Sequence, residues 1–168
     1  MADEGKRPKV SPKETEALMR ATRDIQELWL QLAPRNWKSM VVVPVEPDLS
    51  AAGYARSVAE VGASLGDGPV TFVNLEDLER APNGADADRG RARTVVNRLK
   101  SIRQGADPGQ LVLVIQSVMT SPMGVLIARA ADVVVLCVQM ERTQLKDVRR
   151  TVELIGQDRI VGCLAIDG

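Results

Sequence analysis

The chain has 168 residues, enough for one domain built around a single hydrophobic core. Its 22 lysines and arginines balance 22 aspartates and glutamates, so no global charge draws it toward nucleic acid or an anionic membrane. Histidine is absent, which excludes a histidine-based acid–base pair, catalytic triad or metal site.

Trp29, Trp37, Tyr54 and Phe72 are the only aromatic residues. The core must therefore come from Val, Leu, Ile, Ala and Met, as in a buried parallel sheet. Cys137 and Cys163 lie in apolar, strand-like runs and read as small, buried, reduced residues. The first ten residues lack the apolar core of a signal peptide, and no apolar run reaches the roughly 18 residues of a membrane span. A soluble, cytoplasmic protein is expected.

Residues 1–10 are polar and read as a flexible N-terminus, leaving a single domain over 11–168. Ser11, Pro12 and Glu14 form a capping box with proline at the first helical position. Leu18, Ala21, Ile25, Leu28 and Leu32 then recur in alternating steps of three and four, an amphipathic helix over 11–33 that Pro34 ends. Its apolar stripe is expected to dock on the domain's own sheet; a partner helix or self-association is the alternative.

Five apolar runs follow, at 40–45, 70–75, 111–115, 133–138 and 160–166. Most are continuous and β-branched, which predicts strands covered on both faces. Helices separate them. Ser50 is placed to cap 51–65, and 89–103 carries Val95, Val96, Leu99 and Ile102 on one side. Thr143 is placed to cap a helix with Leu145, Val148, Val152 and Ile155 inward, closed by Gly156. Only 83–90 and 105–109 read as loose. Alternating strands and helices predict an α/β fold: a doubly wound, mostly parallel five-stranded sheet with helices on both faces and an extra N-terminal helix.

The loop after the first strand stands where a phosphate-binding loop would be, but its chemistry is wrong. Pro44 and Pro47 remove two N–H donors, Glu46 and Asp48 bring negative charge, and no lysine lies between Lys38 and Lys100. The second strand ends in Asn74, Glu76, Asp77 and Glu79, read as a solvated acidic loop or, more sharply, as metal-facing carboxylates. Gln116 and Ser117 end the third strand. An aspartate there would hold magnesium or orient water; glutamine is expected to bond nearby backbone instead, and Ser117 has no base in sequence reach. Arg89, Arg91, Arg93, Arg98, Lys100 and Arg103 form a basic stretch, with Lys146, Arg149 and Arg150 a smaller one. Without interleaved aromatics these read as solvated helix faces, and nucleic acid is not an expected partner.

Taken in order, these positions resemble the cytoplasmic ATPase domain of bacterial exopolysaccharide tyrosine kinases, within the MinD/ParA-like group of P-loop ATPases, over 11–168. Glu16, Ala17, Leu18, Arg20, Arg23 and Ile25 echo its first helix, although Glu16, Arg20 and Arg23 are spaced four and three apart where the family's self-association motif uses three and three. Asn74 to Pro82 is similar to its aspartate-rich second-strand motif with one extra residue, and Ile115, Gln116, Ser117, Val118 and Met119 to its third-strand motif. Leu126, Ala128, Arg129, Ala131 and Asp132 match best. Asp167 stands near the family's base-reading asparagine, while the family's tyrosine cluster has no counterpart in these 168 residues.

The resemblance implies strand order 2-3-1-4-5. Glu46, Asp48, Ser50, Asn74, Glu76, Gln116 and Ser117 occupy degenerate phosphate and magnesium positions, which implies no cofactor, no metal and no catalysis. It further implies a pseudo-ATPase or pseudokinase that regulates or scaffolds exopolysaccharide synthesis or export. Leu18, Arg20, Arg23, Ile25, Leu28, Arg149 and Arg150 are its candidate interaction residues. The partner would be the cytoplasmic tail of a membrane polysaccharide co-polymerase or a kinase homologue, with recruitment to the inner face of the membrane and homo-oligomerisation as further expectations. A MinD/ParA-type positioning adaptor, or an ATP-binding enzyme with an atypical phosphate loop, are the alternatives.

Overall fold

A computed structural model describes residues 11–66, 68–78, 85–105 and 109–167; the side chains of Glu14, Thr15, Ala17, Leu18 and Ala85 lie outside that description. The expected flexible tail, 1–10, also lies outside it, as does the acidic Glu79.

Five strands, β1 (Ser39–Pro44), β2 (Val70–Asn74), β3 (Gln110–Val114), β4 (Val133–Gln139) and β5 (Ile160–Ile166), form one sheet in the order β2-β3-β1-β4-β5. Every pairing is parallel. The helices are α1 (Pro12–Leu32), α2 (Ala52–Leu65), α3 (Ala85–Arg103), α4 (Pro122–Ala130) and α5 (Leu145–Ile155), with a 3-10 turn at Gln157–Arg159. The α/β class, the strand order and the N-terminal helix are as expected.

Strand alternation divides the core. Met40 and Val42 of β1, with Val112, Val114, Val135 and Cys137, meet Ile25, Trp29 and Leu32 of α1 and Ala55 and Val58 of α2. Val41 and Val43, with Leu111, Leu113, Val134 and Leu136, meet Leu99 and Ile102 of α3, Ile127 of α4 and Ile155 of α5. β1, β3 and nearly all of β4 are therefore covered on both faces, whereas the edge strands β2 and β5 are only partly covered. Cys137 is buried as expected, but Cys163 sits on β5 and is exposed, whereas its neighbour Leu164, pointing to the opposite face, is buried.

The stripe of α1 docks on the domain itself. Ile25 and Leu28, read as candidates for a partner surface, are core residues at 3% and 8% exposure. Two glycines let α1 approach: a Cβ on Gly62 would lie 2.2 Å from the Trp29 ring, and one on Gly162 would lie 2.8 Å from Leu28. Trp29 also meets Trp37 edge to face, with centroids 5.2 Å apart.

Four local readings are corrected. Helix α3 starts at Ala85 rather than 89, because Asp86 and Asp88 complement its first turn and Gly90 does not interrupt it. Ala51, not Ser50, is the N-cap of α2, and Gln144, not Thr143, that of α5. Thr143 Oγ1 instead accepts the Gln139 N–H at 2.8 Å, closing the turn after β4. Leu145, expected inward, is the first residue of α5 and is 64% exposed.

Asp132 fastens the base of the sheet. Its carboxylate accepts the Lys38 and Ser39 N–H groups at 2.8 and 3.1 Å and pairs with Arg103 at 2.9 Å. Ser39 Oγ returns the contact by accepting the Asp132 N–H at 3.0 Å.

Candidate functional site

All strands run the same way, so the loops after β1, β2 and β3 emerge together at the carboxyl end of the sheet, the usual ligand position in an open α/β fold. Ser50, Asn74 and Gln116, three of the positions singled out in the sequence, converge there on Glu76. The Glu76 carboxylate accepts the Ser50 hydroxyl at 2.8 and 3.1 Å and the Ala51 N–H at 2.9 Å. Asn74 Oδ1 accepts the Glu76 N–H at 2.9 Å, an Asx turn, and Gln116 Nε2 donates to the Glu76 carbonyl. Glu76 is thus held through its N–H, its carbonyl and its carboxylate.

This geometry explains why Ser50 is not the helix cap. Its oxygen accepts the Ala52 N–H only at 3.4 Å, while its proton is directed at Glu76. The N-terminus of α2, where partial positive charge collects, faces a carboxylate delivered from the next crossover. In a phosphate loop that position takes a ligand's anionic oxygen; here a side chain supplies it.

The β1–α2 loop is closed. Leu49 N–H donates to the Glu46 carbonyl at 3.2 Å, with Pro47 at the second position of the turn. Asp48 faces outward and pairs with Arg142 from the loop after β4. That guanidinium's hydrogen bond holds the Asp48 carboxyl below its ordinary range. Glu46 is half-buried, and its Oε1 has no partner among the described residues. Lys38 lies at the opposite, amino end of β1.

Ser117 is fully buried, donates to the Val45 carbonyl at 2.8 Å and accepts the Met119 N–H at 3.4 Å. These bonds tie the β3 loop to the β1 loop. Gln116 takes the backbone-bonding role expected of an amide at that position. Among the described residues, no group of three or more Cys, Asp or Glu side chains is placed to hold a metal ion.

The interaction candidates lie elsewhere. Arg20 and Arg23 are exposed on α1 and pair along it with Glu16 at 3.8 Å and Glu27 at 3.3 Å. Leu18 has no described side chain. Arg149 and Arg150 are exposed on α5, with Arg150 near Glu153 at 3.3 Å. Sequence reasoning missed Arg142 as the partner of Asp48 and Glu76 as a cap for α2. An acid at a helix N-terminus is a recognisable signal, but here acid and helix are 25 residues apart.

No helix among the described residues is long and apolar enough to cross a membrane. No family model matches the sequence, and no curated protein matches it. Solved structures do match. The kinase domain of the Escherichia coli tyrosine kinase ETK superposes with a TM-score of 0.71 at 11% identity, covering 87% of this chain and 75% of that one. The VpsO kinase domain gives 0.68 at 13% identity, covering 93% of this chain and 98% of that one. The chimerical protein CapA2B2 gives 0.64 at 14% identity, covering 96% and 87%. The chain therefore has the fold of these tyrosine kinase domains.

Proposed function

We propose that this chain is a non-catalytic pseudokinase domain of the P-loop type that works by binding another protein, as a regulatory or scaffolding component of bacterial exopolysaccharide synthesis or export. The observation that carries the reading is the Glu76 carboxylate bonded to Ser50 and Ala51 at the start of α2. A triphosphate entering there would have to displace a covalently tethered anion and face Glu46 and Asp48, with no nearby lysine. Pro44 and Pro47 withhold two of the N–H donors on which such a loop depends. The residues present do not fit a magnesium–nucleotide complex.

The shared fold with tyrosine kinase domains and the sequence resemblance support the choice of pathway. The partner chemistry that follows is the cytoplasmic tail of a membrane polysaccharide co-polymerase or an active kinase homologue.

The test is thermal. A ligand specific for the native state adds about 2.7 kcal/mol of stability at a hundredfold excess over its dissociation constant. Millimolar Mg-ATP or Mg-ADP is expected to leave the melting temperature unchanged. A saturable upward shift would overturn the non-catalytic reading. Calorimetry with a purified co-polymerase tail tests the binding half.

A further inference from the structure

Away from the loops after β1, β2 and β3, a groove of about 750 Å³ lies between α3 and α4, lined by Arg89, Arg93 and Lys100 together with Val96, Met123 and Leu126. Arg89, Arg93, Val96 and Lys100 recur in steps of four, three and four, so they form one ridge of α3. Arg103 continues that ridge and is consumed structurally, bound to Asp132 and to the Ala130 carbonyl. The other three cations are exposed and have no ion-pair partner among the described residues. Across the groove, α4 turns out Leu126 at 51% exposure, while Gly124, Ile127 and Ala128 of the same helix are buried.

We infer that the α3–α4 groove is a docking site for an acidic, amphipathic helical segment of a partner protein. This deepens the binding role proposed above and rests on it. Charge complementarity selects the partner's acids, and the apolar floor selects a protein over a polyanion. A nucleic acid needs stacking faces or a phosphate track; the groove offers no aromatic side chain, and Asp86 lines one end. A membrane surface would meet basic residues without flanking apolar anchors on both sides, whereas Leu126 and Val96 lie inside the groove. From Arg89 to Lys100 the ridge runs about 16 Å, three turns of helix, which matches a helix laid alongside.

The experiment uses the full chain, isotopically labelled for NMR, and an end-blocked helical peptide with glutamates along one edge and leucines beside them. The expected result is amide shifts confined to α3 and α4. Binding is expected to weaken about tenfold or more in Arg89→Glu/Arg93→Glu and, separately, in Leu126→Asp. These side chains are exposed, so both variants should keep the parent's melting temperature. The inference is overturned by shifts elsewhere, by equal binding of a lysine-for-glutamate peptide, or by oligothymidylate or phosphatidylglycerol vesicles displacing the acidic peptide. Failure here with no nucleotide shift removes the groove and leaves the non-catalytic reading. Peptide binding together with a nucleotide shift removes that reading and leaves the groove.

Discussion

Glu76 joins three loops through one residue, and the consequences can be separated by substitution. Glu76→Ala leaves the Ser50 hydroxyl and the Ala51 N–H at the start of α2 without their acceptor. Losing a cap of this kind costs about 1 kcal/mol, and urea denaturation should show it; Glu76→Gln, which keeps an acceptor oxygen, should lose less. An unchanged midpoint in Glu76→Ala would mean that solvent caps the helix equally well. Asp132 should matter more. It is partly buried and accepts two backbone N–H groups while pairing with Arg103. Hydrogen bonds to a charged group are worth about 1.5–3 kcal/mol each, so losing the two backbone bonds in Asp132→Ala is expected to cost about 3 kcal/mol or more. A loss below about 1 kcal/mol would show that the sheet's base holds without it.

At the scale of elements, helix docking rests on missing side chains as much as on present ones. Gly62 of α2 lies against the indole of Trp29, where an added methyl would lie 2.2 Å from ring carbon. Trp29 is itself buried and meets Trp37 edge to face, which leaves its ring little room to give way. Gly62→Ala should cost about 1–3 kcal/mol through overpacking, despite alanine's better helix propensity. The control is Gly53→Ala on the same helix, where nothing lies within 4 Å and no loss is expected. Elements of this kind were legible in the sequence because burial imposes its own period. The run at 160–166 matches β5 in full, and the stripe from Ile25 to Leu32 identifies the inner face of α1. Gly156 at the end of α5 was legible, but the N-caps of α2 and α5 were not. A hydroxyl near a helix start looks like a cap; tertiary structure gives Ser50 to Glu76, and the local turn after β4 gives Thr143 to Gln139.

For the whole molecule, the absent groups could be read from sequence and what fills their place could not. Lysine, loop glycines and the third-strand aspartate are properties of single positions. The bond from Glu76 to Ala51 depends on where two crossovers emerge, which no local pattern specifies. The basic stretch shows the same limit: one run in sequence, it is divided by the fold, with Arg103 bound to Asp132, Arg91 facing a second cleft beside β2, and Arg89, Arg93 and Lys100 in the groove. The sheet also sets how stability responds to pH. Cys137 is buried at the centre of β4, and desolvation pushes its thiol up to about 12, with Cys163 adding a smaller push. In the unfolded chain the thiol ionises near its ordinary value of about 8.5. Between those values the native state binds the proton and the unfolded state has released it. The stability Cys137 contributes is therefore complete below about pH 8.5 and is lost as pH rises toward 12, by up to about 1.4 kcal/mol per unit. Desolvation raises Cys163 and Tyr54 as well, so a residual slope should remain after Cys137 is removed. Cys137→Ala should lose some stability at neutral pH from the smaller side chain, yet decline less steeply between pH 9 and 11, by about one proton's worth. Parallel curves for the two proteins in urea titrations over that range would show that the buried thiol is not what sets the alkaline limit.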